Sequence, residues 1–190
     1  MTKVGIIGTA GRKEDGPKMS RELYFRMVNR AKKEINNHFF AGVFNPTKLF
    51  LLSGGAAWSD HVAVSLFLMG FSENLSLYFP CKWSTWNHCF SYPEKVASIA
   101  NYYHKEFSEK MNPRDTNKHT TLSGIQRAID KGAKYHEYSG FHERNFLVGQ
   151  CKLLIAMTWG EGETPKDGGT LHTWNNSNAE KKIHVPLSTL

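Results

Sequence analysis

Cysteine is scarce here: the 190-residue chain has three, Cys81, Cys89 and Cys151. An odd count in a chain whose first residues, MTKVGIIGTAGRKED, hold no signal-peptide apolar stretch argues against a disulfide framework and for an intracellular, cytoplasmic protein. The run CKWSTWNHC (81–89) lacks the Cys-x-x-Cys spacing of a structural zinc site and no second pair follows, so no metal is expected. No stretch approaches 18 uncharged apolar residues, which excludes a membrane-spanning helix at the level of sequence. Runs of five or more basic residues are missing, and with them a basic nucleic-acid tail. Internal repeats and low-complexity segments are missing too.

The composition that remains is that of a folded domain, 40% apolar and 22% charged. The length suits one domain, residues 1–190, with a sizeable core. The formal charge of +7 favours anionic partners: nucleotides, phosphorylated small molecules or nucleic acid.

Continuous apolar runs predict buried strands at 3–8 (KVGIIG), 48–55 (KLFLLSGG), 75–80 (LSLYFP) and 152–159 (KLLIAMTW). Residues 133–139 and 181–187 read as two more. Between them the chain reads as helix. From about Met19 to His38, an apolar face is set by Leu23, Met27, Ala31 and Ile35. Further helices are expected at 59–70, with Ser59 or Asp60 near the start, and at 93–111, 121–132, 141–151 and 169–180. Strands alternating with helices, the strands being unbroken apolar runs, predict an α/β fold: a Rossmann-like parallel sheet sandwiched by helices. Residues 81–133 are the hardest to read and are taken as an insertion or lid.

In such sheets ligands bind at the carboxyl ends of the strands. Three strand ends here carry small residues: GTAGR (8–12), SGGAAWSD (53–60) and DGGT (167–170). Small residues let backbone N–H groups approach an anion, and a helix N-terminus adds partial positive charge. Gly8, Thr9, Gly54, Gly55, Gly168 and Gly169 are therefore candidate ligand-binding positions, with hydroxyls from Ser53 and Thr170. A ligand of nucleotide size is the expectation.

The segments GIIGTAGR, LLSGGAAWSDHVAVSLFLMG, FHERNFLVGQCKLLIAMTWG and DGGTLHTWNNSNA resemble, in that order, the successive motifs of the SLOG superfamily. That group includes DprA-like DNA-processing proteins, YpsA-like proteins and the LOG phosphoribohydrolases. The resemblance spans roughly residues 3–70 and 135–187. It implies a Rossmann-like fold that binds a nucleotide or nucleotide-derived ligand. HERN (142–145) is similar to the His-Glu-Arg-Lys segment of the LOG enzymes, which makes Arg144 and Glu143 the candidate catalytic residues and adds Asn145 to the ligand-binding set. The LOG enzymes carry a glutamate three residues after the Gly-Thr of the later motif; here that position is Thr173, which joins the candidate ligand-binding residues.

Breaking an N-glycosidic bond builds positive charge on the ribose, which a carboxylate stabilises or answers by activating water. Glu143, Asp60, Glu161, Glu163 and Asp167 are the candidates to replace the missing glutamate. Asp60 could instead bind a ribose hydroxyl or start a helix. The guanidinium fork of Arg144 suits phosphate, and Arg12 is a second candidate. His61 and His172 are weighed as catalytic groups against packing or surface roles, and the aromatics of YFPCKWSTW (78–86) against base stacking.

The leading expectation is a nucleotide-binding sensor or carrier, without turnover and without a cofactor. The alternative is a nucleoside 5′-monophosphate N-glycosidase. A third reading is single-stranded DNA binding, as in DprA. No membrane partner is expected, and self-association into a homo-oligomer is left open.

Overall fold

In the computed structural model, residues 2–39, 45–114, 120–166 and 168–190 are described. In chain order they form β1 (Thr2–Gly8), α1 (Arg21–Phe39), β2 (Leu49–Ser53), α2 (His61–Leu68), β3 (Asn74–Phe79), β4 (Lys82–Ser84), β5 (Cys89–Tyr92), α3 (Glu94–Met111), α4 (Thr120–Asp130), β6 (Lys134–Glu137), α5 (Phe141–Val148), β7 (Leu153–Thr158), α6 (Gly169–Asn176) and β8 (Lys181–Pro186). Six strands make one sheet in the order β6-β3-β2-β1-β7-β8, every neighbouring pair parallel. This is the expected Rossmann-like α/β architecture.

Apolar runs build it because every face of a central strand is covered. All six residues of β7 are buried. Alternate side chains divide between two cores. Val4, Ile6, Leu51, Ile155 and Met157 join the larger core with α1, α2, α3 and α4, while Ile7, Leu52, Leu154 and Ala156 join a smaller one with Val148 of α5 and Trp174 of α6. Helices thus lie on both faces. The expected face of α1 is buried, Leu23, Met27, Ala31 and Ile35 together with Tyr24 and Val28. Its first turn is capped by Ser20, whose Oγ accepts from the N–H of Leu23 at 3.1 Å.

Several elements are shorter than expected. β2 ends at Ser53, because Gly55 turns the chain with a φ of +68°. α6 ends at Asn176 and not near 180, because the hydroxyl of Ser177 is drawn to the carbonyl of Gly149 at 2.7 Å and pulls the chain off the helical path.

The segment 81–133 is the crossover from β3 to β6. It begins with the antiparallel β4–β5 hairpin, which was not expected, and continues through α3 and α4. It is anchored in the larger core by Trp83, Phe90, Ala97, Phe107, Leu122, Ile125 and Ala128. Phe107 is fully buried, its ring 4.2 Å from that of Trp58, 4.9 Å from Tyr24 and 5.3 Å from His61. Among the described residues, no helix is long and apolar enough to cross a membrane.

Truncating Phe107 to Ala should cost about 3–5 kcal/mol in urea unfolding, with one cooperative transition. A loss under about 1 kcal/mol would mean that the crossover sits on the domain without supporting it.

Candidate functional site

Strand order reverses at β1: β2 lies on one side and β7 on the other. The carboxyl ends of β1 and β7 therefore flank the crevice where such sheets bind ligands. Here that crevice is closed by the protein's own hydrogen bonds. Thr9 donates its N–H to the Met157 carbonyl at 2.9 Å, Ser59 donates its hydroxyl to the same oxygen at 3.1 Å, and Thr170 donates its hydroxyl to the Gly8 carbonyl at 3.1 Å.

The open space lies one step aside, over the ends of β1, β2 and β3. A recess of about 300 Å³, counting its open mouth, has a floor of Ala10, Gly54, Gly55, Ala56 and Ala57. Arg12, Tyr103, Phe141 and Arg144 form its walls.

Arg144 dominates this space. It starts on α5, on one face of the sheet, and its Nη1 donates to Oδ2 of Asp60 at 3.2 Å, at the start of α2 on the other face. The side chain passes directly over Gly54: a Cβ there would lie 1.4 Å from Nη1. Both partners are buried, Arg144 to 7% exposure and Asp60 to 5%. Burial pushes the Asp60 carboxyl up, and the guanidinium with the N–H groups of Ala56 and Gly54 pulls it back. Burial likewise pushes Arg144 down and Asp60 opposes it, while Arg12 adds a like charge. The Nε of Arg144 is buried without a hydrogen-bond partner. Asp60 does not cap α2 with its side chain; it holds the arginine instead.

Arg12 is exposed and stands at the mouth, its guanidinium 5.3 Å from the Tyr103 ring centre and 5.5 Å from that of Phe141. The Arg144 guanidinium lies 5.4 Å from the same Phe141 ring. Two cations thus share one aromatic wall.

The remaining candidates are distributed around this centre. The Ser53 hydroxyl donates to the Asp60 carbonyl at 2.7 Å and accepts from the Gly55 N–H at 3.0 Å, so it shapes the loop and is committed there. Thr9 donates its hydroxyl to Asp15 at 2.7 Å. Thr173 donates to the Gly169 carbonyl at 2.9 Å, within its own helix. A Cβ on Gly169 would meet the Asn145 amide nitrogen at 3.4 Å, which places the Gly168–Thr170 turn beside α5. Glu143, Glu161, Glu163 and His172 are exposed. Asp167 lies outside the described residues. Of the aromatics at 78–86, Phe79 and Trp83 are core and Trp86 is 91% exposed. Among the described residues, no group of three or more His, Cys, Asp or Glu could hold a metal ion.

Sequence reasoning missed the contributions of α3. Tyr103 faces Arg12, and one residue on, His104 Nε2 donates to the Gly55 carbonyl at 2.9 Å. His104 Nδ1 meets the Thr121 hydroxyl at 3.0 Å, and His61 Nε2 donates to the Thr121 carbonyl at 3.0 Å. Tyr24 contacts His61 Nδ1 at 3.0 Å. His61 thus belongs to a buried network joining α1, α2, α3 and α4 and not to the recess. A helix-periodic reading of 93–111 marks His104 as an inward position but gives no sign of its partner.

Comparison with curated proteins finds an uncharacterized protein of Acanthamoeba polyphaga mimivirus, 33% identical over 189 residues, which is 98% of this chain and 96% of the viral one. The chain belongs to the family of that viral protein. No family model and no solved structure matches it. Because the match runs through almost the whole of both chains, it takes in the 81–133 crossover that supplies Tyr103 and His104.

Asp60→Ala should destabilise the protein by about 3–5 kcal/mol, since it leaves a buried guanidinium without its counter-charge. Combining it with Arg144→Met should recover part of that loss in chemical unfolding. A second expectation concerns acid. Burial pushes His61 down to about 4 and His104 down to about 3, so both rings are neutral in the fold. Unfolded, each takes up a proton near pH 6.5. Their contribution is complete above that pH and is lost as the pH falls toward 4, by up to about 1.4 kcal/mol per pH unit for each ring. Urea midpoints measured between pH 7 and pH 5 should therefore drop. A constant midpoint would mean that the rings charge within the folded state.

Proposed function

We infer that the protein binds a nucleotide or nucleotide-derived anion over the ends of β1, β2 and β3, as a sensor or carrier. The observation that carries this reading is Arg144: a buried guanidinium held by one carboxylate, with Nε unpartnered, at a recess floored by small residues. A buried donor left unsatisfied is costly, and an anion entering the recess would satisfy it. Arg12, 5.5 Å from the shared Phe141 ring, adds a second positive group at the mouth. The resemblance of the four motifs to SLOG proteins supports the same ligand class.

A reading without turnover is favoured by the placement of the carboxylates. Glu143, Glu161 and Glu163 point to solvent, Asp60 is tied to Arg144, and the position of the LOG glutamate holds Thr173, whose hydroxyl serves its own helix. The N-glycosidase reading would need one of these carboxylates to be released to the ligand.

The test is incubation with nucleoside monophosphates, ADP-ribose and NAD, followed by mass spectrometry of bound ligand and free base. One of them should be retained unchanged by the wild type, and Arg144→Ala should lose it at least tenfold. Base release that vanishes in Arg144→Ala would establish the enzyme instead. Retention of none, with oligonucleotide affinity falling steeply as salt rises, would turn the reading to single-stranded DNA.

A further inference from the structure

The recess has an aromatic side, and one of its two rings lies outside the motifs that resemble SLOG proteins. Tyr103 comes from α3, in the crossover, and Phe141 from the first turn of α5. The planar guanidinium of Arg12 lies over both rings, at 5.3 Å from one ring centre and 5.5 Å from the other. Both distances fall inside the roughly 4.5–7 Å range over which two aromatic rings pair. A flat heterocycle centred where the guanidinium now lies would be at pairing distance from both rings at once. The surroundings suit a flat apolar face: Ala10, Ala56, Ala100 and Pro80 line the same recess and offer methyl and methylene groups, not side-chain donors. Displacing the guanidinium is cheap, because Arg12 is exposed and regains water when it leaves. Beside this slot lies the Arg144 guanidinium, 5.4 Å from the Phe141 ring centre, a counter-charge for the charged end of such a ligand.

We propose that Tyr103 and Phe141 form a base-stacking slot, currently filled by the Arg12 guanidinium, that makes the site selective for a nucleotide carrying an aromatic base over a bare sugar phosphate. The proposal rests on the anion-binding reading of the recess. In this arrangement Arg144 holds charge and the two rings decide what that charge is attached to.

Calorimetric titration separates the two. The probes are AMP, GMP, CMP and UMP on one side and ribose 5-phosphate on the other. The proteins are the wild type, Tyr103→Leu, Phe141→Leu and Tyr103→Phe. At least one nucleotide should bind the wild type tenfold or more tighter than ribose 5-phosphate. Each leucine variant should weaken that nucleotide about fivefold and leave ribose 5-phosphate unchanged. Tyr103→Phe keeps the ring and should keep the affinity; it also controls for folding, alongside thermal midpoints for all variants. Phe141→Leu tests the slot independently if Tyr103→Leu proves unstable. Ribose 5-phosphate binding as tightly as every nucleotide, or leucine variants that leave the nucleotide preference intact, would overturn the slot while the anion site stands. Failure of every probe to bind the wild type would overturn the slot, and failure of ADP-ribose and NAD in the same titration would overturn the anion site as well.

Discussion

The guanidinium of Arg144 crosses the end of β2 to reach Asp60, and the rest of the site is arranged around that crossing. One partner belongs to a helix on one face of the sheet, and the other starts a helix on the opposite face. The ion pair therefore ties the two outer layers together over the strand ends. It also sets what can lie beneath it. Gly54 must be glycine because a methyl group would occupy the position of Nη1, and the Ser53 hydroxyl is spent bracing the turn by accepting from Gly55 and donating to the Asp60 carbonyl. Buried pairs of this kind add little net stability, since desolvation offsets attraction. What this one contributes is a polar link between layers on opposite faces of the sheet.

The β3–β6 crossover completes the site from above. Its helix α3 touches three separate pieces: Tyr103 faces Arg12 after β1, His104 holds the Gly55 carbonyl after β2, and Lys110 donates to the Met19 carbonyl at 2.8 Å just ahead of α1. What looks from the sequence like an appendage is the roof of the recess and a share of the core beneath it.

The sheet was legible in the sequence because its strands are unbroken apolar runs and its helices carry a regular apolar face; LLIAMT in β7 and the Leu23–Ile35 face of α1 need no tertiary information to be recognised. The glycine-rich strand ends and Arg144 were legible as residue types suited to an anion. Their partners were not. Asp60 reads as a helix start, and only the fold shows that its charge is used 84 positions away. Tyr103 and His104 read as ordinary helix residues, because nothing in 93–111 says which loop the helix will lie against. The β4–β5 hairpin was missed because strands of three and four residues carry too little period to register. In each case the deciding contact is long-range.

The three attachments of α3 have a consequence for local opening. Two of them are polar bonds from a side chain to loop carbonyls, His104 to Gly55 and Lys110 to both Gly16 and Met19, and the third is an aromatic contact with an exposed arginine; all of them depend on one helix staying in place. The loop after β1 and the turn after β2 do not open separately from α3. They share its fate as one cooperative unit, so the free energy that governs exposure of the recess is set in large part by the burial of Phe107 and the neutrality of two histidines, none of which lines the recess.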